Sequence, residues 1–122
     1  MQYLLLIYGN ENDWNKLTET EQKTVMQEYA DFSKSIAQSG HYRGGNELDR
    51  IARATTVRVR NGKRMTTDGP FAETKEQLGG YYLIEAKDQK EAEAIAARIP
   101  SARWGLIEVR PIIPHPAPGA IS

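Results

Sequence analysis

The sequence predicts an α+β fold, a ferredoxin-like sandwich with an inserted β-hairpin. Two short segments, Tyr3–Tyr8 and Tyr81–Ala86, are strongly apolar, which is typical of strands that are buried on both faces. An amphipathic helical pattern follows each segment. Asn61-Gly62 lies between the two halves and marks a two-residue hairpin turn, because a type I′ turn requires positive φ at both positions. Strands and helices in this order are characteristic of the ferredoxin-like sandwich.

Composition indicates one globular domain, which we place at residues 1–113, followed by a proline-rich tail at 114–122. Of the 122 residues, 39% are hydrophobic and 26% are charged, as in ordinary globular proteins. The chain has 16 basic and 16 acidic side chains, and proteins that bind polyanions are usually basic, so we expect no direct nucleic-acid partner. The apolar segment near the start is too short to cross a bilayer, and we therefore expect a cytoplasmic protein without membrane contact.

The first helix is predicted to begin near Thr18. Thr18 and Glu21 have the spacing of a capping box, in which hydroxyl and carboxylate each accept a hydrogen bond from the other residue's amide. Gly40 suits the left-handed position after a helix. The segment before the helix, Glu11–Lys16, is predicted to be a loop. The helix has one apolar face, formed by Val25, Tyr29, Phe32 and Ile36.

The hairpin follows, around the turn at Asn61-Gly62. Residues 54–60 alternate between two faces, as a strand does, and the two-residue turn fixes the register of the pair. In that register Thr55 lies opposite Asp68. Asp68 is therefore expected on the same face as Val57, at the open end of the hairpin.

The segment 68–80 is long for a connection between strands, and connections of this length are often functional. We predict that part of it is helical. Pro70 would open a turn, and the helical face formed by Phe71, Lys75 and Leu78 would end at Gly79.

The remaining elements are predicted from simpler patterns. Residues 41–48 form either a short strand or an irregular connection. Asp88 begins a second helix that Pro100 stops, and residues 104–113 form the last strand. The tail is expected to be extended, so deleting Ala117–Ser122 should leave the melting temperature nearly unchanged.

The predicted sheet has more apolar surface than the helices can cover. Both helices of a ferredoxin-like sandwich lie on one face, whereas the apolar strands have two apolar faces. A second copy of the chain is the simplest cover for the open face. We therefore predict a homodimer joined through the sheets, with more than about 1,000 Å² buried, as in specific interfaces.

Asp68, in the sequence Asp68-Gly69-Pro70-Phe71, is the candidate catalytic residue. Two interpretations remain open for it. Its carboxylate would be a general base, or an acceptor for a ligand, in a cleft at the mouth of the hairpin. Alternatively, it is a turn residue that accepts backbone amide hydrogens before the Gly-Pro pair.

Five candidate ligand-binding residues follow closely in the chain. Glu73 and Lys75 beside Phe71 would hold a polar ligand, although such charge runs are commonly solvated surface. Tyr81 and Tyr82 are neighbours in a strand, so their side chains point to opposite faces. One of the two tyrosines would line a cavity, and the alternative is a buried core tyrosine.

Arg58 and His41 complete the set of candidate ligand-binding residues. Arg58 belongs to a basic group that would bind an anion, or would protect an exposed strand edge from pairing. His41 would be an acid–base group, because histidine titrates near neutrality, or it would interact with the last carbonyls of the first helix. No pair of side chains has the spacing of metal ligands, and the chain has no cysteine, so we expect no metal and no cofactor.

A resemblance adds to these expectations. Residues 66–82, with the sequence TTDGPFAETKEQLGGYY, resemble the signature of the DGPF branch of the YCII-related family. The similarity extends from Met1 to about Ile112. It includes the apolar opening strand Tyr3–Tyr8, the hairpin strand Ala54–Val59 and the closing Glu108–Pro111.

The resemblance implies a dimeric α+β barrel in which two sheets face each other, with a pocket beside each sheet. One relative in the family is a cofactor-free enzyme that acts on a chlorinated lactone, and in that group a helical histidine is paired with an aspartate. The first helix of this chain has no histidine, and Tyr29 occupies about that place. Asp68 alone matches the motif of its own branch. Some genes of this branch accompany extracytoplasmic-function sigma factors, which implies a regulatory role.

Two functions of different class follow. The first is a cofactor-free lyase or isomerase that uses Asp68 as a general base on a small polar substrate. The second is a non-catalytic module that binds a small molecule or associates with a sigma factor. A buried Asp68 beside an enclosed cavity would favour the enzyme. An exposed Asp68 and an apolar outer patch would favour the binding module.

Overall fold

The computed structural model describes residues 1–116, so the predicted effect of deleting Ala117–Ser122 lies outside the described residues. The described residues form six strands and three α-helices, and two short 3₁₀ turns at Ile51–Arg53 and Pro100–Arg103 lie between them. The elements are β1 (Gln2–Gly9), α1 (Asn12–Lys16), α2 (Glu19–Gln38), β2 (Tyr42–Glu47), β3 (Thr55–Arg60), β4 (Lys63–Asp68), β5 (Gln77–Glu85), α3 (Gln89–Ala96) and β6 (Leu106–Pro111).

Four strands form one sheet in the order β2-β5-β1-β6, and all neighbouring strands are antiparallel. α2 connects β1 to β2, and α3 connects β5 to β6, so each helix joins two strands that have another strand between them. This arrangement is the ferredoxin-like α+β sandwich. The strands β3 and β4 form a separate two-stranded sheet, which lies between β2 and β5 in the chain.

The hydrophobic core lies between the helices and one face of the sheet. Tyr3 and Leu5 from β1 are buried on this face, together with Ile84 from β5. Alternate residues of a strand point to opposite faces, so these positions face the helices and their neighbours face away. The helices contribute Phe32, Ile36, Ala92, Ile95 and Ala96 to the same cluster.

The two long helices begin as their capping residues predict. Thr18 accepts a hydrogen bond from the Glu21 amide at 3.1 Å, and the Glu21 carboxylate accepts one from the Thr18 amide at 2.9 Å. Gly40 follows α2 with φ of +83°, the left-handed conformation that glycine adopts readily. Asp88 caps α3 by accepting from the Glu91 amide at 2.9 Å. α3 ends at Ala96, before the stop that Pro100 predicts.

The hairpin has the register that its turn predicts. Asn61 and Gly62 both have positive φ, and Thr55 pairs with Asp68. At its base, the Gly69 amide donates to the Ala54 carbonyl at 2.7 Å, and the Thr56 hydroxyl donates to the Gly69 carbonyl at 2.9 Å.

Two predictions of local structure were wrong. The predicted loop Glu11–Lys16 contains the one-turn helix α1, and the Asn12 amide donates to Asn10 Oδ1 at 2.9 Å where this helix begins. The predicted helical turn over Phe71–Leu78 is absent from the described structure. Instead β5 begins at Gln77, because Leu78 pairs with Tyr8 and strand pairing replaces the local helical pattern.

The structure defines two other elements more closely than the sequence patterns do. Residues 42–47, where strand and irregular connection were both open, form the edge strand β2. The last strand is shorter than 104–113 because the 3₁₀ turn at Pro100–Arg103 delays its start.

Across residues 1–116, none of the helices combines the length and the apolar character needed to cross a bilayer.

Candidate functional site

The face of the sheet that points away from the helices is open and largely apolar. Leu4 and Leu6 of β1 lie on it, paired with Leu83 and Tyr81 of β5. These four side chains are half-buried although no helix among residues 1–116 covers them. Contiguous apolar surface of this kind marks an interaction or ligand site more often than plain solvated surface does.

A cavity of about 670 Å³ opens on this face, above the edge formed by β1 and β6. It is open to solvent, and its lining comes from side chains of the two strands and from the segment that precedes β5. The lining residues are Tyr8, Thr74, Lys75, Glu76, Leu106, Glu108 and Arg110.

Charged groups of both signs line the cavity beside its apolar floor. Arg110 and Glu108 are two residues apart in β6, on the same face, and Arg110 Nε lies 3.4 Å from Glu108 Oε2. The Arg110 side chain is 67% exposed and keeps donors free for another partner. Lys75 lines the cavity from the segment that precedes β5. A molecule with an anionic group and a short apolar part therefore finds a charge partner and an apolar floor in one place.

The structure brings together only a few of the predicted site residues. Lys75 lines the cavity. Tyr81 lies on the same open face, where its hydroxyl accepts from Asn46 Nδ2 at 2.8 Å. Phe71 is 82% exposed, and Glu73 and Arg58 are also exposed. These last three residues do not line the cavity.

Asp68 is exposed at the end of β4 and does not line the cavity. Within residues 1–116, its carboxylate accepts no hydrogen bond. The turn interpretation is not seen in these residues, because the turn is closed instead by the Gly69 amide and the Thr56 hydroxyl. The ligand-binding or catalytic role of Asp68 stays a prediction.

Asp68→Ala should accordingly change the free energy of unfolding by less than about 0.5 kcal/mol, as surface substitutions usually do. Asp88→Ala is the matched control. It removes the carboxylate that caps α3 and should cost about 1 kcal/mol. Urea unfolding of the two variants and the parent measures both values. A loss for Asp68→Ala as large as that for Asp88→Ala would show that Asp68 has structural partners.

Comparison with known proteins identifies the family. The sequence profile of the YCII-related domain matches residues 1–116. The chain belongs to the YCII-related family. An uncharacterised protein of Rhizobium meliloti (strain 1021) is 33% identical to this chain over 114 residues, which is 92% of each chain. The ferredoxin-like type of fold expected for this family agrees with the observed strand order.

In this YCII-related chain, hydroxyl pairs occupy the layer between helices and sheet. Tyr82 is buried in the core, and its hydroxyl lies 2.7 Å from Ser33 Oγ of α2. The Tyr29 hydroxyl is hydrogen-bonded to Ser101. Burial raises the pKa of both tyrosines above the usual value, so both stay protonated at neutral pH. Tyr82 therefore holds α2 to the sheet, on the face opposite the cavity.

His41 lies between the two long helices of the YCII-related domain, also on the side away from the cavity. Its Nδ1 is 2.6 Å from Ser39 Oγ, just after α2, and its Nε2 is 3.2 Å from Glu91 Oε1 in α3. The Lys87 amide donates to the same carboxylate oxygen at 3.0 Å. The hydrogen bond from Lys87, followed by that from His41, holds the pKa of Glu91 below its ordinary value of 4.5.

This shift predicts a pH dependence of stability. Because the folded pKa of Glu91 is lower than the unfolded one, its ionised form stabilises the fold above pH 4.5, and this contribution is lost as the pH falls through the folded pKa. Glu91→Gln should therefore lower the melting temperature at neutral pH, and the difference from the parent should shrink in acid. The exposed Glu93→Gln in the same helix is the control. A constant difference for Glu91→Gln at every pH would contradict the assignment.

The sequence analysis missed most of the residues that line the cavity. Alternation places Glu108 and Arg110 on one face of the last strand, but it does not say which face the helices cover. That information comes from the pairing of β6 with β1, in which Leu106 lies opposite Tyr8. The sequence did contain one signal for these residues. One face of β6 is charged, whereas β1 is apolar on both faces.

Proposed function

We propose that this protein is a homodimeric, non-catalytic binding module of the DGPF branch. It holds a small organic anion, such as a carboxylate, on the open face of the sheet. The observation that carries the proposal is the cavity in which Arg110 and Lys75 provide positive charge beside the apolar side chain of Leu106. The second copy covers the remaining apolar part of the open face and makes the site less exposed to water.

The position of Asp68 supports binding rather than catalysis by this residue. A general base must lie within hydrogen-bonding reach of the proton that it removes. Asp68 is exposed at the end of the hairpin, and the lining of the cavity does not include it. A lyase or isomerase that uses Asp68 as its base would need a substrate to bind elsewhere in the assembly.

A binding module also suits the regulatory role that the resemblance implies. A protein that binds a small molecule without changing it can report how much of that molecule is present, because the fraction of the protein in the bound state rises with the concentration of the molecule. Association with a sigma factor would add a protein partner to this scheme. The cavity would then be the sensing site.

The proposal is tested by a thermal-shift titration with acetate, succinate and benzoate. A carboxylate at 100 times its dissociation constant should stabilise the fold by about 2.7 kcal/mol. Arg110→Gln should abolish this stabilisation, because it removes the charge that the anion contacts. Lys34→Gln, an exposed position of α2, should leave it unchanged. The proposal fails if all three probes stabilise Arg110→Gln as much as the parent, or if none stabilises the parent.

A further inference from the structure

The charged side chains that line the cavity are balanced in sign. Lys75 and Arg110 are basic, whereas Glu76 and Glu108 are acidic. A ligand whose only charged group is a carboxylate leaves both acidic side chains without a partner, and like charges held close together oppose binding. A ligand with one negative and one positive group finds a partner for each. The balance of charge therefore favours a zwitterion.

Glu108 and Arg110 present their opposite charges side by side. Arg110 Nε and Nη2 each lie 3.4 Å from Glu108 Oε2. Hydrogen bonds between charged groups are usually about 2.7–2.9 Å long, so this ion pair is loose. Within residues 1–116, Glu108 Oε1 accepts no hydrogen bond, and the guanidinium group has further N–H donors. Both side chains therefore have bonding capacity for a ligand.

An apolar contact lies next to these charges on the same strand. Alternate residues of a strand share a face, so Leu106 precedes Glu108 and Arg110 on the open face, with roughly 6.6 Å between successive positions. Leu106 is 44% exposed, and its partner Tyr8 in β1 also lines the cavity. Along β6 the cavity thus meets an apolar, a negative and a positive side chain in turn.

The segment before β5 supplies a second pair of opposite charges, Lys75 and Glu76, which are adjacent in the chain. Hydrogen bonds on either side hold this segment. The Thr74 hydroxyl donates to the Glu76 carbonyl, and Gln77 Nε2 donates to the Thr74 carbonyl at 2.5 Å. Gln77 Oε1 in turn accepts from the Glu11 amide at 3.0 Å. The second pair is therefore attached to a segment with a defined conformation.

We infer that the ligand of the cavity is an α-amino acid with a short aliphatic side chain. Its carboxylate binds Arg110, its ammonium group binds Glu108, and its side chain contacts Leu106. The carboxylate, the ammonium group and the side chain of an α-amino acid share one carbon atom, which suits charge partners that already lie side by side. This inference rests on the proposed carboxylate site and narrows the chemical class of its ligand.

Three ligands with the same carbon skeleton test the inference in thermal-shift titrations. Leucine has both charged groups, 4-methylpentanoate has only the carboxylate, and 3-methylbutylamine has only the ammonium group. The parent should bind leucine at least about tenfold more tightly than either of the others, because each charged group adds a hydrogen-bonded contact. Glu108→Gln should weaken leucine binding about tenfold without weakening the binding of 4-methylpentanoate. Glu108 is 39% exposed, so this variant should fold.

Glu73→Gln is the matched control, because it removes an exposed carboxylate that does not line the cavity. It should bind leucine as the parent does. The inference is overturned if 4-methylpentanoate binds the parent as tightly as leucine does, or if Glu108→Gln binds leucine as tightly as the parent. In both cases the proposed anion site stands, provided that Arg110→Gln abolishes the binding of 4-methylpentanoate. If 3-methylbutylamine matches leucine, or if none of the three binds, both proposals are overturned.

Discussion

Gly105→Ala should destabilise the protein by at least about 3 kcal/mol, at the upper end of what overpacking costs. Gly105 lies between the 3₁₀ turn at Pro100–Arg103 and the start of β6, and its amide donates to the Ser101 carbonyl at 2.8 Å. A Cβ atom at this position would overlap the carbonyl oxygen of Tyr8 in β1. The Tyr8 carbonyl is part of the backbone, so it cannot move aside as a flexible side chain would.

The clash also affects the candidate site. Leu106 pairs with Tyr8 immediately after the glycine, and both residues line the cavity. Separation of the two strands at this point would open the cavity floor. Chemical denaturation measures the loss of stability, with Gly9→Ala as the matched control because a Cβ at Gly9 meets no atom within 4 Å. Similar stability losses for the two variants would show that the close approach is not the cause.

Much of the fold could be predicted from the sequence because local signals and long-range packing agree. The capping box of Thr18 and Glu21 and the Asn61-Gly62 turn act over three or four residues. Their geometry is therefore encoded locally, and the register of Thr55 with Asp68 follows from it. The apolar stripe that contains Phe32 and Ile36 matches the face that the sheet covers.

The segment before β5 could not be predicted because its local pattern competes with strand pairing. Phe71, Lys75 and Leu78 have helical spacing, yet Leu78 pairs with Tyr8 in the sheet. Gly80 in the same strand is required by the pairing of β5 with β2, since a Cβ there would lie 2.9 Å from the Asn46 carbonyl oxygen. Gly79, which suggests the end of a helix in the sequence, lies within β5 instead.

The candidate site depends on contacts between strands that are distant in sequence. Tyr8 and Glu108 are separated by 100 positions, and the sheet order places β6 beside β1. Asp68 drew attention because its motif is distinctive, whereas the cavity is formed by residues without a motif. Lys75 was identified because it lies in the unusual segment before β5, which contributes to the lining of the cavity.

Leu6→Asp should convert the proposed homodimer into a monomer. Leu6 lies on the open face between Tyr81 of β5 and Glu108 of β6. In the single chain it is half-buried, so an aspartate there retains contact with water and should leave the monomer folded. In a dimer joined through this face, the new carboxylate would be buried beside Glu108, and an unpaired buried charge opposes association strongly.

Light scattering at micromolar concentration measures the effect. The parent should have twice the chain mass of 13.7 kDa, and Leu6→Asp should have the single-chain mass. Ala30→Asp, at an exposed position of α2 on the other side of the molecule, should remain dimeric. Circular dichroism confirms that both variants are folded. If Leu6→Asp is folded and still dimeric, the copies associate through another surface, and the open face with its cavity is not enclosed by a second sheet.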